Sequence, residues 1–166
     1  MRRFSRIFAW TTLFFVAGAV LFFTKAAALP YKVAWPVLLL SLATFLSRRR
    51  ELLPFGFAFL FSAAGDAVGA RGLFIPQMAF FALAHVAYVC WFLPRARRRL
   101  RAVSLAVTVP LLVFLFAAIV PEAPFPAERI GVAVYGLVIA AMLYSALQYD
   151  GACAAGFRCA ALLFVF

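Results

Sequence analysis

From Ala102 to Val120 the chain carries no charged residue, and the same is true from Ile130 to Leu147. An apolar run of that length in hydrocarbon must pair every backbone N–H and C=O within its own structure, which only helices and closed barrels achieve. About 20 helical residues cross a core about 30 Å thick. Helices are therefore expected. The same pattern recurs along the chain. Ile7 to Phe23 follows the basic start MRRFSR, and Val33 to Ser47 ends in Arg48-Arg49-Arg50. Leu52 to Gly69 and Phe74 to Leu93 flank a short glycine-containing turn, and a last run opens near Ala152. The expected fold is all-α: a polytopic transmembrane helix bundle with seven spans, forming one transmembrane domain over residues 1–166. Pro110 is placed to kink the fifth span, and PEAPFPAER separates it from the sixth.

Composition excludes several functions. Hydrophobic residues make up 68 % of the chain, against roughly half in a soluble domain. The net charge of +11 would suggest nucleic acid if it formed a surface patch. Here the basic residues lie in short loops between apolar runs, which is a topology signal, so no nucleic-acid partner is expected. With the N-terminus in the cytoplasm, twelve basic residues fall inside and four outside (Lys25, Lys32, Arg71 and Arg129). Lys25-Ala26-Ala27-Ala28 imitates a signal-peptidase site, but the run before it is longer and bulkier than a signal core of about 7–15 residues. We read it as a retained first helix. The three cysteines, Cys90, Cys153 and Cys159, have no CxxC spacing, so neither a disulfide framework nor a thiolate metal site is expected. A single histidine excludes a three-histidine zinc site; no metal and no cofactor is expected. The last run stops at Phe166 in the middle of apolar sequence with no polar exit, and a truncated C-terminus is the expectation.

Ionisable groups within a spanning helix are costly and are functional candidates by default. Ser62, Asp66 and Gly69 share one face of the third span, with Gly65 beside them. Small residues allow another helix to approach, so Asp66 is expected to face protein. Gln77, Phe81, His85 and Tyr88 form a stripe on the fourth span, and Tyr135, Met142 and Ser145 lie on one side of the sixth. From the helical rise, Asp66 sits about 6 Å, Tyr135 about 9 Å and His85 about 16 Å inside the outer boundary. Lys32, Arg71 and Arg129 lie at that edge. All fall in the outer half of the bilayer. Taken singly, each has a plainer role. Asp66 could reach interfacial water or Arg71, His85 could be an interhelical hydrogen bond, and the tyrosines could be interface anchors. The arginines from Arg95 to Arg101 read as an inner-leaflet contact. Only the shared layer favours a site. A carboxyl kept neutral by apolar surroundings can act as a general acid. The other class of function consistent with the residues is a small transporter or lipid-binding protein in which Asp66 and His85 relay protons.

The stretch GFAFLFSAAGD, then Phe74, then LAHVAY resembles the YhhN family of membrane proteins, the lysoplasmalogenases. Its pattern is roughly G-L-x-F-S-x-x-G-D followed by F-x-x-G-x-x-x-F-x-x-A-H-x-x-Y. Ser62, Gly65, Asp66, Phe74, Ala84, His85 and Tyr88 match, while Gln77 replaces a glycine. Lys32 resembles the lysine that opens the second helix, although Val33 stands where a proline often follows. Tyr135 and Met142 resemble the family's spacing in the sixth. The resemblance implies eight helices in a complete member, with a Ser-Asp pair after an apolar run like Leu162 to Phe166. This chain ends before that pair. It also implies hydrolysis of the vinyl-ether bond of a lysophospholipid, the lysoplasmalogen, by acid catalysis with buried carboxylates. Asp66 and His85 would then be catalytic, and Lys32, Ser62, Arg71, Tyr88 and Tyr135 would bind substrate.

Overall fold

A computed structural model describes residues 12–20 and 33–165. Among them every regular element is helical: α1 (residues 12–20), α2 (Ala34–Leu46), α3 (Leu53–Gly69), α4 (Phe74–Phe92), α5 (Arg101–Phe114), α6 (Pro126–Leu147) and α7 (Ala154–Val165). Lys25, Lys32 and the flanks of the first apolar run lie outside the described residues. Among the described residues four stretches are long and apolar enough to cross a membrane: Arg50–Gly69, Phe74–Arg95, Arg98–Glu122 and Pro126–Leu147. The expectation of seven spans holds only in part. α2 and α7 are apolar but have 13 and 12 residues, which rise only about 20 Å.

The chain divides into two compact units, one up to Ala84 and one from His85, with the border inside α4. In the first unit, α2 ends where Arg48 turns left-handed, at φ 52°. Pro54 then sits in the first turn of α3, where its missing N–H costs nothing. Close packing of α2 on α3 is made possible by Gly56. A Cβ there would lie 2.8 Å from the Phe45 ring, which would have to shift. Beside it the buried Ser41 hydroxyl donates to the Gly56 carbonyl at 2.8 Å. Ser41→Ala is expected to destabilise the protein by about 1 kcal/mol or less, the scale of interhelical hydrogen bonds in membranes. Equilibrium unfolding in mixed micelles measures it.

At the far end of α3, Gly72 takes the left-handed conformation, φ 73°. Its N–H bonds the Gly69 carbonyl at 2.8 Å and the Leu73 N–H reaches back to Val68 at 3.4 Å. That is the paired closure of a Schellman end, and it needs a residue without a Cβ penalty. It turns the chain sharply into α4.

In the second unit α5 stays helical through Pro110. Ser104 and Thr108 are buried, and their hydroxyls bond carbonyls one turn back, Leu100 at 2.9 Å and Ser104 at 2.8 Å. The helix then widens to a π-turn over Leu115–Ile119, and the Leu115 side chain occupies the space a Cβ on Gly136 of α6 would need. α6 begins at Pro126, earlier than the expected Ile130. Pro126 fills the first-turn position, and Glu128 lies near the positive helix end. The break is confined to the stretch around Ala123, whose carbonyl accepts from Arg129 Nε at 2.8 Å.

One end of this unit is closed by an aromatic cluster. Trp91, Phe92, Tyr149 and Phe157 contact one another with ring centroids 5.0–5.7 Å apart. Edge-on pairs of this kind add packing energy beyond burial alone. The α4–α5 and α6–α7 connections are tied beside it by a bridge between Ala96 and Tyr149. The Arg97 N–H also donates to the Gln148 carbonyl at 2.9 Å.

Candidate functional site

Each unit holds part of the set of candidate residues. In the first, α3 presents its small-residue face to the beginning of α4. A Cβ on Gly65 would fall 3.0 Å from the Phe81 ring, and one on Gly69 would collide with the Gln77 amide. Asp66 lies between these two glycines in sequence and is half-buried, as is Ser62 one turn earlier. Those two contacts show that the Gly65 and Gly69 side of α3 meets the start of α4. They also explain Gln77: the amide fills the space next to Gly69. Arg71 is exposed in the Schellman turn that ends α3. Lys32 lies outside the described residues.

Gln77 and Phe81 begin the stripe that continues along α4 to His85 and Tyr88. In the second unit His85 is buried, at 3 % exposure, and sits among aromatic rings. Its imidazole lies 6.2 Å from the Tyr88 ring and 5.7 Å from the Tyr135 ring, both edge-on. Phe164 of α7 comes to 5.0 Å in a tilted contact. His85 and Tyr88 of α4 and Tyr135 of α6, from two parts of the sequence, are thus brought together. Phe164 was not among the sequence candidates. Its only sequence signal was membership of the apolar run Leu162 to Phe166, which says nothing about its neighbour. The imidazole is thus packed among three aromatic rings.

The sixth-helix stripe separates into two roles. Tyr135 is half-buried beside His85. Met142 and Ser145 are buried, and the Ser145 hydroxyl bonds the Met142 carbonyl of its own helix at 2.9 Å. Ser145 is therefore a packing residue. Among the described residues no cluster of His, Cys, Asp and Glu side chains has the make-up of a metal site.

Several apolar helices of spanning length, with ionisable side chains set into them, define a multi-pass integral membrane protein. Residues 22–166 match the model of the YhhN family. The chain belongs to the YhhN family. No curated protein and no solved structure matches it.

Proposed function

We propose that this protein is a lysoplasmalogenase-like membrane hydrolase. It would add water across the vinyl-ether bond of a lysoplasmalogen, releasing a fatty aldehyde and the glycerophospho-head group. The observation that carries the proposal is the family match over residues 22–166, which takes in all seven candidate residues.

The chemistry asks little of a protein but asks it specifically. A proton must go to the β-carbon of the vinyl ether, which leaves an oxocarbenium ion at the carbon bonded to oxygen. Water adds there, and the resulting hemiacetal loses the glyceryl oxygen as an alcohol, leaving the aldehyde. Water is the only co-reactant, so the balance closes without a cofactor. One acid in its protonated form and one anion to stabilise the cation suffice, a division of labour like that of paired carboxylates in glycosidases. Asp66 is one such carboxyl, set in the apolar helix α3. His85 positions water or relays the proton. Arg71 and Lys32 hold the phosphate as charge-assisted partners. Ser62, Tyr88 and Tyr135 line the substrate's path. The N-terminus is cytoplasmic, and these residues act in the outer half of the bilayer.

The test is an assay of purified protein in micelles with lysoplasmalogen, reading aldehyde, against the acyl lysolipid of the same head group. Aldehyde from the vinyl ether and no fatty acid from the ester is the expected result. Absence of aldehyde, with proton-linked uptake into vesicles, would assign Asp66 and His85 to a proton relay in a transporter instead.

A further inference from the structure

The arginines after α4 are not a uniform charged loop. Arg95 is used by its own helix: Nη1 donates to the Trp91 carbonyl at 2.7 Å, and its guanidinium lies 4.6 Å from the Trp91 ring centroid. Arg97 and Arg99 instead turn to the α6–α7 connection. Arg99 hydrogen-bonds and ion-pairs with Asp150. Arg97 Nε stands 3.9 Å from the same carboxylate, and Arg158 Nη2 stands 3.8 Å from its other oxygen. Arg158 is fixed by a 2.5 Å bond from Nη2 to the Tyr149 carbonyl. Its Nε is buried and has no hydrogen-bond partner among the described residues.

Three guanidiniums therefore converge on one carboxylate, and two of the three contacts are too long to be hydrogen bonds. Asp150 is the sole acid in the two connections, which also carry the exposed Arg98 and, just beyond, the exposed Arg101 at the start of α5. Its charge answers one arginine. It gathers the others without neutralising them. Arg97 and Arg99 remain 64 % and 71 % exposed, each with donors in the planar fork that suits phosphate oxygens. The cluster lies at the ends of α4 and α6, both of spanning length. Leu93, 55 % exposed, stands four residues before Arg97 in the chain and suits contact with acyl chain.

We propose that Arg97, Arg99 and Arg158, preorganised by Asp150, form a binding site for the phosphate of an anionic phospholipid. The apolar neighbour and the helix-end position favour a lipid phosphate over a free one, and the excess of guanidinium favours an anionic over a zwitterionic head group. This site is independent of the hydrolase reading.

The test uses the full chain in micelles, titrated with phosphatidylglycerol or phosphatidylcholine and read by native mass spectrometry. Phosphatidylglycerol is expected to bind about ten-fold more tightly than phosphatidylcholine, the worth of one charge-assisted bond. Arg97→Gln, at an exposed side chain that the fold does not depend on, is expected to remove most of that preference. Arg158→Lys, which keeps the charge but loses the fork, is expected to weaken it too. Arg129→Gln, an equal change of charge elsewhere, should leave it intact. Equal binding of both lipids, equal loss in Arg97→Gln and Arg129→Gln, or displacement of the lipid by millimolar inorganic phosphate would each overturn the assignment.

Discussion

Asp66→Asn is expected to lower aldehyde release from lysoplasmalogen by at least about 100-fold, the usual worth of a positioned acid or base. The substitution is nearly isosteric, so the half-buried position and the flanking contacts of Gly65 and Gly69 are kept. What is lost is the exchangeable carboxyl proton and the anion it leaves behind. An amide can neither protonate carbon nor stabilise an oxocarbenium ion by charge. The protein should still purify as a folded species, because burying an amide costs less than burying a carboxylate. Aldehyde release at the wild-type rate from the folded variant would remove Asp66 from the mechanism. Asp66→Glu separates position from chemistry: it retains the acid on a longer arm and should recover part of the activity.

Gly65→Leu is expected to destabilise the protein by about 1–3 kcal/mol, the cost of overpacking a close contact, and to lower activity with it. The Cβ alone would already press on Phe81, at 3.0 Å from two ring atoms. The rest of the leucine side chain has to displace that ring or push α3 away from the start of α4. Either movement shifts the neighbouring Asp66. Phe81→Ala in the same chain opens room for the leucine and should restore much of the stability. Thermal unfolding in micelles, followed for the single and double variants, measures both. A single variant as stable as the wild type would show that the α3 face is not tightly packed there.

The boundaries of α3 and α4 were legible to within a residue. The arginines Arg48 to Arg50, the glycine-containing turn at Gly72 and the arginines from Arg95 onward bound two apolar runs, and each is a local signal. The start of α6 was not. The whole of PEAPFPAER read as loop because of its three prolines, but a proline does not prevent a helical first turn. Pro126 at that position favours one. The expected seven spans failed to appear in full for a similar reason. Hydropathy marks where a segment can be buried, while the length of the helix within it is set by local turns such as the left-handed Arg48 at the end of α2.

The candidate site divides along the same line. Asp66 and His85 stood out because an ionisable group in an apolar run is costly wherever it points. Family membership was likewise carried by local strings, Ser62 to Asp66 and Ala84 to Tyr88. The sequence by itself determined the class, the helices and which polar residues had to be accounted for. Only the tertiary structure decided the neighbours. It set Phe164 and Tyr135 against His85, reserved Ser145 for its own helix, and gathered Arg97, Arg99 and Arg158 on Asp150. Periodicity fixes which residues share a face of one helix. Which face meets which depends on side-chain shape at distant positions, such as Leu115 against Gly136 and Phe81 against Gly65, and that information is not local.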